Sequence, residues 1–255
     1  LIGMLTLLMA VLVWIVVRNS PGDMGWPSIA EIDHSGTAPK AAPQTIGLLE
    51  GARRVVTEKY FWPVAIWFFM VLGVFFGFGG LWAGPYLMHV HGMDRASAGS
   101  ILNMIAVGLI IGSPFFSFVS NRVLKSRKKT IMLSTLTLVC LLVTFKLFGQ
   151  KLPLAGLYVF MFLLSVTSSA IVVIGFTTTK ELFPVEIAGT SVGAVNLFPF
   201  LGGAVFQPGL GWILDSFPKT QLGAYPPEAY SAMIMTLLVA AVLGLISTFF
   251  MKETI

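Results

Sequence analysis

Residues 117–129 read Ser117-Phe-Val-Ser-Asn121-Arg122-Val-Leu-Lys125-Ser-Arg127-Lys128-Lys129, the one dense basic cluster in the chain. Apolar runs flank it, at residues 97–120 and 130–149. Each run is long enough to cross about 30 Å of hydrocarbon as a helix. Lipid offers the backbone no hydrogen-bond partners, so such runs must be α-helical. The stretch therefore reads as a short cationic turn joining two membrane helices.

Working outward, the same pattern recurs. The first segment, residues 1–17, ends at Arg18-Asn-Ser-Pro21, where a cation and a proline close a helix. It is expected to be the end of a truncated transmembrane helix. Residues 18–59 form the long polar section, with Pro21, Pro27, Pro39 and Pro43, and read as a linker. Its second half, residues 45–56, fits either a short amphipathic helix at the membrane surface or a solvated turn. Residues 60–255 carry six further spans, near 60–86, 97–120, 130–149, 152–176, 189–214 and 229–250.

The chain is 56% hydrophobic and 11% charged. Soluble domains carry about 25% charged residues. The formal charge of +5 does not point to nucleic acid, because the basic residues lie in turns between apolar runs. Placing the 121–129 turn in the cytoplasm puts the linker, the 177–188 turn and the C-terminus there too. Lys and Arg then favour that side by about three to one, the positive-inside pattern. The lone Cys140 lies inside an apolar run and has no intrachain partner. His89 and His91 lack an accompanying carboxylate or thiol cluster, so no metal site is expected.

The spans differ in character. Residues 130–149 and 229–250 are dominated by Leu, Val, Thr and Ala and read as lipid-facing support. The others carry glycines, prolines and isolated polar residues, which suit close packing or bending. Gly77, Gly79, Gly80, Gly84 and Pro85 mark the expected bending region of residues 60–86. Spans 97–120 and 189–214 both begin Ala-Gly-Ser/Thr and hold the middle position of two three-helix units, as an inverted repeat would place them. No Asp, Glu, Arg or Lys lies at a span centre, which argues against this chain alone binding a strongly charged solute.

These residues resemble the major facilitator superfamily. Ser117-x-x-x-Asn121-Arg122 with Arg127-Lys128 is similar to its loop motif G-x-x-x-D-R-x-G-R-[KR]. Glu181-Leu-Phe-Pro184-Val-Glu-Ile-Ala-Gly189 is similar to its E-x-x-P-x-x-x-R-G turn. The resemblance implies an all-α integral membrane fold, a six-helix transporter half built as a 3+3 inverted repeat and preceded by one truncated helix. It implies that residues 18–59 are the cytoplasmic central linker, and it implies no enzyme activity but secondary active transport of a small solute by alternating access. Expected partners are the lipid bilayer, the N-terminal six-helix half and an unidentified small molecule. No cofactor is expected, and any proton or ion coupling falls to the N-terminal half. The expected location is the bacterial inner membrane. Cavity candidates are Phe78, Trp82, Tyr86, Asn103, Thr167, Ser168, Ser169 and Asn196.

The departures from the motif carry an expectation of their own. Ser117 replaces the glycine and neutral Asn121 the aspartate, and Val123-Leu124 adds a residue. Asn121 can hydrogen-bond but supplies no charge for a helix dipole, so the latch at this copy should be weaker. Two other classes stay open on sequence. One is a non-transporting sensor signalling through the linker. The other is a lipid-modifying enzyme, which would need a cluster such as His89, His91 and Asp94 to be catalytic.

Overall fold

The computed structural model describes residues 2–18, 21–27, 46–221 and 223–254. Most of the linker's centre, with Pro39, Lys40 and Pro43, lies outside the described residues. The chain divides into two units, Leu1–Thr45 and Ile46–Ile255. In the first, α1 (Ile2–Val16) is an apolar helix, followed by a single 3-10 turn at Pro21–Met24.

The second unit is an all-helical bundle. It opens with α2 (Leu48–Thr57), an amphipathic helix that buries Gly51 and Val55 and exposes a Glu50–Arg54 ion pair. Six spans follow: α3 (Phe61–Val90), α4 (Arg95–Val123), α5 (Arg127–Lys151), α6 (Leu154–Glu181), α7 (Val185–Asp215) and α8 (Pro227–Phe249). Each is long and apolar enough to cross a membrane. The spans run longer than the apolar stretches because capped polar turns extend them. Asp94 accepts from the Ser97 N–H to start α4, and Ser126 accepts from the Lys129 N–H to start α5.

The two triplets share a pattern. The first span of each, α3 and α6, is interrupted near its middle by π-helical turns, at Phe75–Trp82 and Val166–Ala170. The second span of each, α4 and α7, is the most exposed: 22% and 28% of their apolar windows are buried, against 56% and 59% for α3 and α6. The third, α5 and α8, is α-helical over most of its length. This is the repeat suggested by the Ala-Gly-Ser/Thr starts.

Packing places α3 at the centre, against α7 and α8, with α4 against α6 and α5 against α8. Glycines set the closest approaches. A Cβ on Gly202 of α7 would lie 2.4 Å from the Phe69 carbonyl oxygen of α3. One on Gly108 of α4 would lie 2.6 Å from the Phe162 carbonyl oxygen of α6. Both helix pairs therefore meet backbone to backbone, as small residues permit in membranes. Expected lipid-facing support in the third and sixth spans needs correction. α8 buries Tyr230, Met233, Leu237 and Ala241, and α5 buries Thr135, Leu138, Leu142 and Phe145. Their uniform composition hid one interior face each.

Candidate functional site

Three layers along the bundle hold the polar groups. The first is at the basic end, where α3, α5 and α7 begin and α4, α6 and α8 finish. A π turn at Val119–Val123 closes α4 and takes up the residue that Val123-Leu124 adds. Lys125 then adopts a left-handed φ of 46°, and Ser126 caps α5. Arg127 is the hub. Its Nη1 donates to Asn121 Oδ1 at 2.6 Å and to Ser120 Oγ at 3.1 Å. Its Nη2 and Nε donate to both Glu181 carboxylate oxygens, at 3.2 and 3.4 Å. Thr254 Oγ1 donates to the same Glu181 carboxylate at 2.6 Å.

Glu253, from the chain after α8, completes this layer. Its carboxylate accepts from the Ser126 hydroxyl, from the Arg127 N–H at 2.9 Å and from the Lys128 N–H at 3.4 Å. Burial pushes its pKa up, but hydrogen bonds from Ser126 and from backbone N–H groups outweigh that and hold it below its ordinary value. Lys128 Nζ donates to the Phe249 carbonyl at the end of α8, at 2.7 Å. The anion that Asn121 does not supply at the α5 N-terminus comes from elsewhere in the chain. Asn121 remains a hydrogen-bond acceptor, and a distant glutamate supplies the anion at the α5 N-terminus. Arg122 is exposed, and Ser117 is half-buried one turn before Ser120. Ser120, Ser126 and Glu253 were missed in the sequence because the motif does not include them.

The middle layer contains the π turns of α3 and α6. The Gly77–Gly80 run lies inside the α3 interruption, and Gly84-Pro85 follows it directly. Pro85 has no N–H, so regular pairing is lost there. Gln207 of α7 bridges the break: its Nε2 donates to the Phe76 carbonyl at 3.2 Å, and its own carbonyl accepts from Trp82 Nε1 at 2.9 Å. A small groove of about 180 Å³ beside it is lined by Phe76, Phe200, Gly203, Ala204 and Gln207.

The cavity candidates separate into two sets. Phe78 and Tyr86 are fully buried, packed with Phe145, Phe160 and Tyr230. The Tyr86 hydroxyl has no hydrogen-bond partner among the described residues. Thr167, Ser168 and Ser169 are buried and return their hydroxyls to the Leu163, Leu164 and Ser165 carbonyls one turn earlier. None of these five presents surface to a solute here. Ser134 of α5 also donates to the Thr167 carbonyl at 2.9 Å, and Ser165 donates to the Ile105 carbonyl of α4 at 2.6 Å, so these hydroxyls cross-brace the bundle.

Trp82 is half-buried, and Asn103 and Asn196 are exposed. Asn196 stands where α7 is broken between Val195 and Leu197. Pro199 causes that break by withholding an N–H from the Val195 carbonyl.

The third layer lies at the opposite end. His89 Nδ1 pairs with the Tyr230 hydroxyl at 2.8 Å, and His91 Nε2–H donates to the Gly149 carbonyl at 3.0 Å. The histidines thus have separate structural partners and do not converge with Asp94, which caps α4. Among the described residues, no three His, Cys, Asp or Glu side chains group as a metal site would require.

The profile of the Major Facilitator Superfamily matches residues 1–207. The chain belongs to this superfamily. No curated protein matches it. Among solved structures it is similar to a bacterial homologue of the human lysosomal transporter Spinster, in an inward-facing and unoccupied conformation. That match has 15% identity and a TM-score of 0.59, and it covers 95% of this chain and 56% of the Spinster homologue. The likeness concerns the fold. The chain thus spans little more than half the length of that structure, and the six-span, two-triplet bundle corresponds to one half of its fold.

Proposed function

We propose that this chain is the C-terminal half of a secondary active transporter, which moves a small solute across a membrane by alternating access. The observation that carries the reading is the unequal burial of the spans. α4 and α7 leave large apolar side chains uncovered, among them Ile110, Phe115, Phe118, Leu197, Phe200 and Trp212. The same two helices expose Asn103 and Asn196. An N-terminal six-helix half would cover the apolar residues and leave the asparagines, with Trp82, beside a central cavity. Residues 18–59 would then be the linker between halves. The basic end, with Arg122, Lys125, Arg127, Lys128 and Lys129, would face the cytoplasm. In a bacterium that membrane is the inner one.

The π turns of α3 and α6 and the break in α7 supply points where the half could bend. Arg127, Glu181 and Glu253 would hold the cytoplasmic helix ends together in one state and separate in another.

The test is flux through the full-length protein in proteoliposomes under an imposed proton or sodium gradient, across a panel of neutral and amphipathic solutes. Gradient-dependent accumulation of one solute class, abolished by Asn196→Ala with Asn103→Ala, is expected. No flux in any condition, with the protein correctly inserted, would contradict the reading.

A further inference from the structure

At the basic end, the start of α3 and the finish of α8 enclose a groove of about 440 Å³. Its walls are apolar and aromatic: Trp62, Pro63, Ile66 and Phe250, with Tyr60 at the rim. Ile66, Trp62 and Phe250 are exposed at 42%, 44% and 66%, so the groove opens sideways along the apolar spans. Two lysines converge on that rim. Lys59 Nζ stands 4.9 Å from the centre of the Tyr60 ring and Lys252 Nζ 5.6 Å from it. Among the described residues neither has a carboxylate within ion-pair distance. Two cations over one ring repel each other, and an anion between them would relieve that repulsion.

We propose that this groove binds one anionic phospholipid of the surrounding bilayer. The phosphate lies between Lys59 and Lys252, and an acyl chain runs down the apolar wall past Trp62 to Ile66. The charge fits a phosphate, the wall fits a hydrocarbon chain, and the position is the level where headgroup and chain meet. Basic pockets between spans on the positive side of a membrane protein hold anionic headgroups in this way. The site requires only that the spans cross a bilayer. It does not require that the chain transports anything.

The test uses the full chain in detergent micelles doped with phosphatidylglycerol or phosphatidylcholine, or given inorganic phosphate alone. Lipid retained through purification and the shift of the thermal unfolding midpoint are read together. Phosphatidylglycerol is expected to be retained in preference and to raise the midpoint. Lys59→Gln with Lys252→Gln should lower that preference about 25-fold, about fivefold for each lysine near the surface. Arg53→Gln with Lys129→Gln removes two charges from the same end and should preserve it. Ile66→Trp fills the groove wall and should reduce retention with both lysines intact.

Equal retention of the two lipids would overturn the proposal. So would an equal loss in both double variants, which would mean a diffuse charge effect. The same midpoint shift with inorganic phosphate alone would also overturn it, because the acyl chain would then play no part.

Discussion

Glu253 changes the reading of the basic loop more than any residue in the loop itself. Asn121 cannot supply a negative charge, yet the α5 N-terminus is faced by a carboxylate that also takes the Ser126 hydroxyl. A carboxylate with a depressed pKa stabilises the fold above its unfolded value of 4.5, and that contribution disappears as pH falls through the lower folded value. Glu253→Gln should therefore cost about 1 kcal/mol at neutral pH, the worth of a helix cap. The gap between wild type and variant should close below pH 4.5, which thermal unfolding midpoints at a series of pH values would show. A gap that stays constant down to acid pH would mean that the charge contributes nothing. This contact was not legible in the sequence, since nothing local links position 253 to position 126. The roles of Thr167, Ser168 and Ser169 were hidden differently: hydroxyls on a helix can always turn back to a carbonyl one turn earlier, and composition does not distinguish that from a cavity wall.

At the scale of elements, the contact of α3 with α7 is set by Gly202 and bridged by Gln207. Gly202→Ala places a methyl against the Phe69 carbonyl and should destabilise by about 1–3 kcal/mol, as overpacking does. Gly209→Ala, on the same helix with nothing within 4 Å of the added carbon, should be neutral or stabilising. Equal midpoint shifts for the two would show that the helices do not meet here. Gln207→Leu removes the donor to the Phe76 carbonyl at the π turn, and a lost hydrogen bond of this kind costs about 1 kcal/mol. Amide hydrogen exchange across residues 75–82 should speed up about fivefold, with exchange in α5 unchanged. The apolar runs and the turn signals located these spans, and the glycine cluster falls where α3 is π-helical. The π turns of α6 could not be read, because Val166–Ala170 carries neither glycine nor proline.

At the scale of the molecule, hydropathy and the lysine and arginine bias were enough for six spans, since lipid leaves the backbone few alternatives, and the Ala-Gly-Ser/Thr starts suggested the repeat. Which helices are interior was not legible, because a span facing lipid and one facing another span are equally apolar. The exposed faces of α4 and α7 support a second half beside this one, and the proposed transport cycle would open their asparagines to each side in turn. The most direct test places a cysteine at Asn196 in the full-length protein, with Cys140→Ser removing the exposed native thiol. A membrane-impermeant thiol reagent is then added from either side, with the protein in sealed vesicles of both orientations. The account predicts labelling from both sides, with transported solute slowing one direction and speeding the other. Labelling from a single side under every condition would contradict it.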